Sequence, residues 1–121
     1  MTILLVEDEV YMLRLLVRFF SRHNYRVLQA IDGEQAIELY RQHAKEIDAV
    51  LLDIRLPKKG GEQVFQEMKL MNPAVKVIMA SGFLDPRIKI DMTLAGVKRF
   101  VDKPYVLTDV LDIVEDTLSS D

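Results

Sequence analysis

Leu4-Leu5-Val6-Glu7-Asp8-Glu9 carries an apolar run straight into three acids, with no glycine turn between them. A short apolar run of this kind reads as a buried strand. A second run, Ala49-Val50-Leu51-Leu52, ends in the same way at Asp53. As neighbouring parallel strands, the two would bring Glu7, Asp8 and Asp53 to one sheet edge, outside the strand carboxyl ends, where open α/β folds keep their ligand crevice. Two such charges ~5 Å apart at an effective dielectric of about 20 repel by ~3 kcal/mol. The cluster therefore calls for a cation, and a divalent metal and a nearby lysine are the expected remedies.

Outward from these two runs, short apolar segments alternate with longer stretches of helical period. Strands are expected at Thr2 to Val6, Arg26 to Ala30, Ala49 to Leu52, Lys76 to Ala80 and Arg99 to Val101. Helices are expected at Val10 to Arg22, Gly33 to Ala44, Gly61 to Met71, Pro86 to Ala95 and Leu107 to Leu118. This alternation predicts an α/β fold: a doubly wound parallel sheet, covered by helices on both faces and joined by right-handed crossovers. Arg26-Val27-Leu28-Gln29 alternates in polarity, as an edge strand does, whereas the central runs are apolar throughout. Breakers fall between the segments at Asp32-Gly33, Pro57 to Gly61, Asn72-Pro73, Asp85-Pro86 and Gly96. Asp85 before Pro86 has the form of a helix N-cap followed by a first-turn proline.

The 121 residues suit one domain (1–121), and the hydrophobic half of the chain is enough to build a core without staples. There is no cysteine, which excludes disulfides and thiolate metal sites and fits a reducing, cytoplasmic setting. No run approaches the ~20 apolar residues of a membrane span, and a strand pattern occupies the place of a basic signal peptide. A net charge of −3 without a cluster of lysines and arginines speaks against direct DNA binding by this domain.

The strand ends supply Glu7 and Asp8, then Asp53, then Ser81 after Val77-Ile78-Met79-Ala80, then Lys103 followed by Pro104. In this order of acid pair, acceptor, hydroxyl and lysine-proline the chain resembles, over its whole length, the receiver (CheY-like) domain of two-component response regulators. The resemblance implies a flavodoxin-like (βα)5 fold with strand order 2-1-3-4-5. It implies phosphorelay signalling, in which Asp53 accepts a phosphoryl group from a histidine kinase or a histidine phosphotransfer protein and passes the signal to a downstream protein or an attached output domain. The domain is then a regulatory phosphoacceptor that assists its own phosphorylation and dephosphorylation, rather than an enzyme with an external substrate.

The same resemblance implies a Mg²⁺ site, with Mn²⁺ as a substitute, held by Asp8 directly, Glu7 through water, Asp53 by its second oxygen and Arg55 by its backbone carbonyl. Hard oxygen donors suit that ion. Lys103 is expected to pair with Asp53 and later with a phosphoryl oxygen. Ser81 and Phe100 are the expected switch residues, and Lys103-Pro104 the expected cis peptide. Arg55 and Phe83, each two positions past a site residue, are expected to tune the lifetime of the phosphorylated state.

The chain also departs from the family pattern. Glu7 is a methylene longer than the usual aspartate. Lys59 and Gly60 stand where many relatives carry an apolar residue and an acid, which predicts a looser loop. Gly96-Val97-Lys98-Arg99-Phe100 lacks the paired acids that precede the aromatic in OmpR-like factors, which speaks against dimerisation through that face. Ser81 to Pro86 and Lys103-Pro104-Tyr105 are similar to receivers attached to hybrid histidine kinases, so the domain is either stand-alone or part of a multidomain regulator.

Other function classes fit less well. An aspartyl-phosphate-type phosphatase needs a second acid two residues beyond its nucleophile, and that place holds Arg55. A nucleotide or flavin module needs a glycine-rich loop where Glu7-Asp8-Glu9 would repel phosphate. A degenerate receiver serving as a protein-binding scaffold would not need the full five-residue set. His23 and His43 lie on polar stretches near helix ends and read as solvent contacts, and the methionines read as core fillers.

The first helix has more apolar residues than one stripe requires. At 100° per residue Val10, Leu13, Leu16, Val17 and Phe20 form a core-facing arc, which Met12, Leu15 and Phe19 extend. The extension reads as a docking face for the partner that carries the donor histidine, with Arg14 and Arg18 on the polar remainder.

Overall fold

The computed structural model describes residues 1–120. Its elements, in chain order, are β1 (Thr2–Val6), α1 (Val10–Arg22), β2 (Arg26–Ala30), α2 (Gly33–His43), β3 (Ala49–Asp53), α3 (Gly61–Met71), β4 (Val77–Ser81), α4 (Pro86–Ala95), β5 (Arg99–Asp102) and α5 (Leu107–Ser119). The strands form one parallel sheet in the order β2-β1-β3-β4-β5, as expected. Every residue of β1, β3 and β4 is buried, because apolar side chains on both faces are covered by helices. The outer strands β2 and β5 keep exposed polar positions.

The two-residue period of the strands divides the core. Leu4, Val6, Val50, Leu52, Val77 and Met79 face one side, against Ile37 and Tyr40 of α2, Val64, Phe65 and Met68 of α3, and Met92 of α4. Ile3, Leu5, Leu51, Ile78 and Ala80 face the other, against Leu13, Leu16 and Phe20 of α1 and Val110 and Val114 of α5. Each fully buried side chain of this size is worth about 1.5–3 kcal/mol. Because α1 leaves β1 toward one face and α3 leaves β3 toward the other, the chain divides at the C-terminal ends of β1 and β3. That division opens a crevice there.

Several boundaries differ from the sequence reading by a residue. Strand β4 runs one residue later than expected, because its ladder with β3 begins at the Val50–Val77 pair; the preceding Lys76 turns its ammonium to the carbonyls of Leu118 (3.4 Å) and Ser120 (2.6 Å). Strands β3 and β5 each extend one residue further, to Asp53 and Asp102. Helix α4 starts where Asp85 accepts from the Arg87 amide at 2.8 Å and ends at Gly96, whose φ of 116° is a left-handed conformation that favours glycine.

The β3–α3 loop is more firmly tied than expected. The Lys59 ammonium donates to both oxygens of Glu67 at 2.9 Å, and Lys58 lies 3.5 Å from Asp32. A lysine at the apolar position thus replaces packing with a bidentate ion pair. In α1 the core arc is narrower than expected. Val10, the first residue of the helix, is 49 % exposed. Met12 and Phe19 are partly buried against the core, and Phe19 also lies against His23 at 4.5 Å, which leaves Leu15 (52 % exposed) and Tyr11 (78 %) as the open apolar positions besides Val10. Among the described residues no helix is long and apolar enough to cross a membrane.

Candidate phosphoacceptor site

Parallel pairing sets Val6 beside Leu52 and Asp53 beside Ala80, so the residues that follow each strand emerge together. One carboxylate oxygen each of Glu7, Asp8 and Asp53 falls within 4.8 Å of the others. Asp8, Asp53, Ile54, Arg55, Gly82, Phe83 and Lys103 line a cleft of about 390 Å³ above them. Gly61 lets the N-terminus of α3 close on this strand end. A Cβ there would stand 2.6 Å from the Ile54 Cα and 2.7 Å from the Asp53 carbonyl oxygen, too close for any other residue.

The two oxygens of Asp53 are separately held. Oδ2 accepts from the Lys103 ammonium at 2.8 Å, and Oδ1 from the Arg55 amide at 3.0 Å. Lys103 also lies 3.0 Å from Oε1 of Glu7 and so bridges the two buried acids, a pairing the sequence reading did not anticipate. Glu7 is 1 % exposed, and its other oxygen accepts from the Glu9 amide at 3.2 Å. Burial pushes the Glu7 carboxyl above its ordinary value, against the lowering effect of Lys103. Burial acts to lower the Lys103 ammonium, but its hydrogen bonds to Asp53 and Glu7 outweigh this, so its proton is held more tightly than usual.

Tyr105 is a further residue that the sequence reading missed. Its hydroxyl points to Glu7 Oε1 at 3.4 Å, and its ring centroid lies 5.6 Å from the Lys103 ammonium. Burial first, and then the charges of Glu7 and Asp53, push its phenol well above the usual range, so it is a neutral donor. The available signal was a hydroxyl-bearing aromatic two residues past Lys103. The intervening Lys103-Pro104 peptide is cis.

Ser81 ends β4 but does not line the same cleft. Its hydroxyl donates to the Phe83 carbonyl at 2.8 Å, beside a smaller pocket of about 190 Å³ that it shares with Leu84, Lys89 and Phe100. Phe100 is partly buried, with the Lys89 ammonium 5.3 Å above its ring. Arg55 and Phe83 stand on opposite loops at the mouth of the main cleft, and Phe83 is 78 % exposed.

The donor set suits a small hard divalent cation. It is made of three carboxylates gathered at one strand edge, the hard oxygen donors that such an ion takes. Asp8 is exposed at the cleft, whereas Glu7 is already engaged by three donors.

The same fold occurs in known proteins. The family model of the response regulator receiver domain matches residues 3–115. The chain is 30% identical over 118 residues to the chemotaxis protein CheY of Bacillus subtilis, covering 97% of each chain. It is 30% identical over 115 residues to the sporulation initiation phosphotransferase F of the same organism, covering 93% of this chain and 90% of that one. A crystal structure of the CheX-CheY-BeF3-Mg+2 complex from Borrelia burgdorferi superposes with a TM-score of 0.92 at 29% identity, covering 98% of this chain and 90% of that one. With a crevice built by β1 and β3, an acid cluster bridged by Lys103 and a family match across nearly its full length, this chain belongs to the response regulator receiver domains.

Proposed function

We propose that residues 1–121 form a single cytoplasmic receiver domain in which Asp53 accepts a phosphoryl group in a Mg²⁺-dependent reaction. The observation that carries this reading is the double restraint on Asp53, with one oxygen on Lys103 and the other on the Arg55 amide, at the floor of an open cleft. Asp8, Glu7 and Asp53 would hold the metal together with the Arg55 carbonyl, and the bound ion supplies positive charge to the oxygens of the transferring group. A carboxylate oxygen of Asp53 forms the new bond to phosphorus as the bond to the donor's imidazole nitrogen breaks. Lys103 then exchanges the carboxylate for a phosphoryl oxygen.

In this reading Ser81 and Phe100 carry the change outward: the Ser81 hydroxyl leaves the Phe83 carbonyl for the phosphoryl group, and Phe100 moves into the vacated space. A histidine kinase or histidine phosphotransfer protein is the donor, and a downstream protein or attached output domain is the reader. The CheX-CheY complex and the phosphotransferase among the relatives are consistent with such partners. Incubation with acetyl phosphate and Mg²⁺ is expected to add one phosphoryl group by intact-mass spectrometry, and excess EDTA to prevent it. No adduct in the presence of Mg²⁺ would overturn the proposal.

Arg55 and Phe83 flank the mouth of the cleft with a long cation and an apolar ring, neither of which can orient an attacking water as a base. The phosphorylated state is therefore expected to be long-lived. The double variant Arg55→Asn, Phe83→Glu is expected to shorten it about fivefold to tenfold, equivalent to ~1 kcal/mol of barrier. Decay of the purified phosphoprotein after donor removal measures this, and equal half-lives would refute the shielding role.

Docking of the donor is assigned to α1, which starts beside the site. Of Met12, Leu15 and Phe19, only Leu15 is open enough to test, and Arg14 and Arg18 flank it on the exposed side. Leu15→Asp is expected to slow transfer from the cognate kinase at least tenfold while acetyl phosphate labelling stays near the parent rate. Loss of both reactions would point to a damaged fold, and retention of both would remove the docking role.

A further inference from the structure

Glu7 and Tyr105 are linked in a way that follows from this chain's own side chains. The Glu7 carboxylate is one methylene further from its backbone than an aspartate would be. Beyond the end of β1 it meets the side chains of residues that follow β5 in the chain. Its Oε1 receives both the Lys103 ammonium at 3.0 Å and the Tyr105 hydroxyl at 3.4 Å. The second contact is long for a hydroxyl bonded to a carboxylate. Lys103 already occupies the shared oxygen. Around the ammonium, Asp53 Oδ2 stands at 2.8 Å, Glu7 Oε1 at 3.0 Å and the Tyr105 ring at 5.6 Å. Tyr105 therefore touches the ammonium and one of the two acids that hold it, Glu7, and it does not line the cleft itself.

We propose that Tyr105 is a positioning residue for Lys103, acting through Glu7: its hydroxyl shares the load on Oε1 and its ring backs the ammonium, so that Lys103 stays on Asp53 instead of moving fully to Glu7. Without the hydroxyl, Oε1 has only Lys103 to satisfy it in a buried site, and an underbonded buried carboxylate draws the nearest cation. The ammonium then spends less of its time on Asp53, where the phosphoryl group arrives. An aspartate at position 7 is too short to reach the hydroxyl, so the effect of Tyr105 depends on Glu7 being a glutamate.

This inference rests on Asp53 being the phosphoacceptor, and a double-mutant cycle separates the two. Initial rates of acetyl phosphate labelling are measured with saturating Mg²⁺ for the parent, Tyr105→Phe, Glu7→Asp and the double variant, with thermal melts to verify folding. Tyr105→Phe is expected to lower the rate about threefold to tenfold in the parent background and less than about twofold in the Glu7→Asp background. Equal losses in both backgrounds, or no loss in either, would overturn the proposal while leaving the phosphoacceptor reading intact. A parent that takes up no phosphoryl group would instead overturn that reading. The proposal is then decided by the side-chain ammonium signal of Lys103 in proton–nitrogen NMR spectra. Tyr105→Phe is expected to shift that signal in the parent background but not in Glu7→Asp, and an unmoved signal in the parent background would overturn the positioning role.

Discussion

Asparagine in place of Asp53 is expected to bring phosphoryl incorporation from acetyl phosphate down to assay background. The substitution keeps the shape of the side chain and removes the nucleophilic oxygen anion. Its specificity can be judged because Lys103 has a second buried partner: with Glu7 at 3.0 Å the ammonium is not stranded when Asp53 loses its charge. The variant also removes one of three clustered negative charges, each pair of which repels by ~3 kcal/mol at ~5 Å and an effective dielectric of about 20. Folding should therefore survive, and the thermal midpoint should not fall. Intact-mass spectrometry after incubation with donor and Mg²⁺ reads the outcome. A single adduct of undiminished yield on Asp53→Asn would move the acceptor to another residue, and Asp8, exposed in the same cleft, would be the first to test.

The strands that pair in the middle of the sheet were legible because burial on both faces demands unbroken apolar runs, and β1, β3 and β4 are such runs. Their order was not legible in the runs themselves, since Ile3 to Val6 and Val50 to Leu52 carry no mark of which neighbour they take. It came from the family resemblance. Helix α4 was found by its punctuation: only Met92 is buried along it, but Asp85-Pro86 and Gly96 bound it. In α1 periodicity claimed too much. The angular position of Val10 suits the core, yet at the first turn about half of its surface stays exposed.

The acids and the lysine were visible for a similar reason, because each ends an apolar run and so stands at the same sheet edge. What joins them was not visible. The bond from Tyr105 to Glu7 spans 98 positions and depends on β5 following β4 in the sheet, on how far a glutamate reaches and on the path of the chain past Pro104. Likewise, the position of Ser81 could be read from the end of β4, but its present partner, the Phe83 carbonyl, is set by the turn that follows.

The contrast between Glu7 and Asp8 leads to the second large effect. Asp8→Ala is expected to weaken Mg²⁺ binding at least about tenfold more than Glu7→Gln does, by isothermal titration calorimetry. Asp8 is exposed at the cleft and free to ligate directly. Glu7 is 1 % exposed, and its oxygens are taken up by Lys103, Tyr105 and the Glu9 amide. Its charge is partly cancelled by the ammonium beside it, so replacing it with a neutral amide changes the field at the metal position less than losing Asp8 does. The two variants should also differ in stability. Because burial raises the Glu7 carboxyl above 4.5, the folded state binds its proton more readily than the unfolded chain does. Its contribution to stability is thus present at low pH and is lost as pH rises through the raised value. Glu7→Gln is expected to remove that part of the pH dependence and to be no less stable than the parent at pH 7, as urea unfolding at several pH values would read. A Glu7→Gln variant that lost as much Mg²⁺ affinity as Asp8→Ala would make Glu7 a direct ligand, which would require its carboxylate to leave Lys103 when the metal binds.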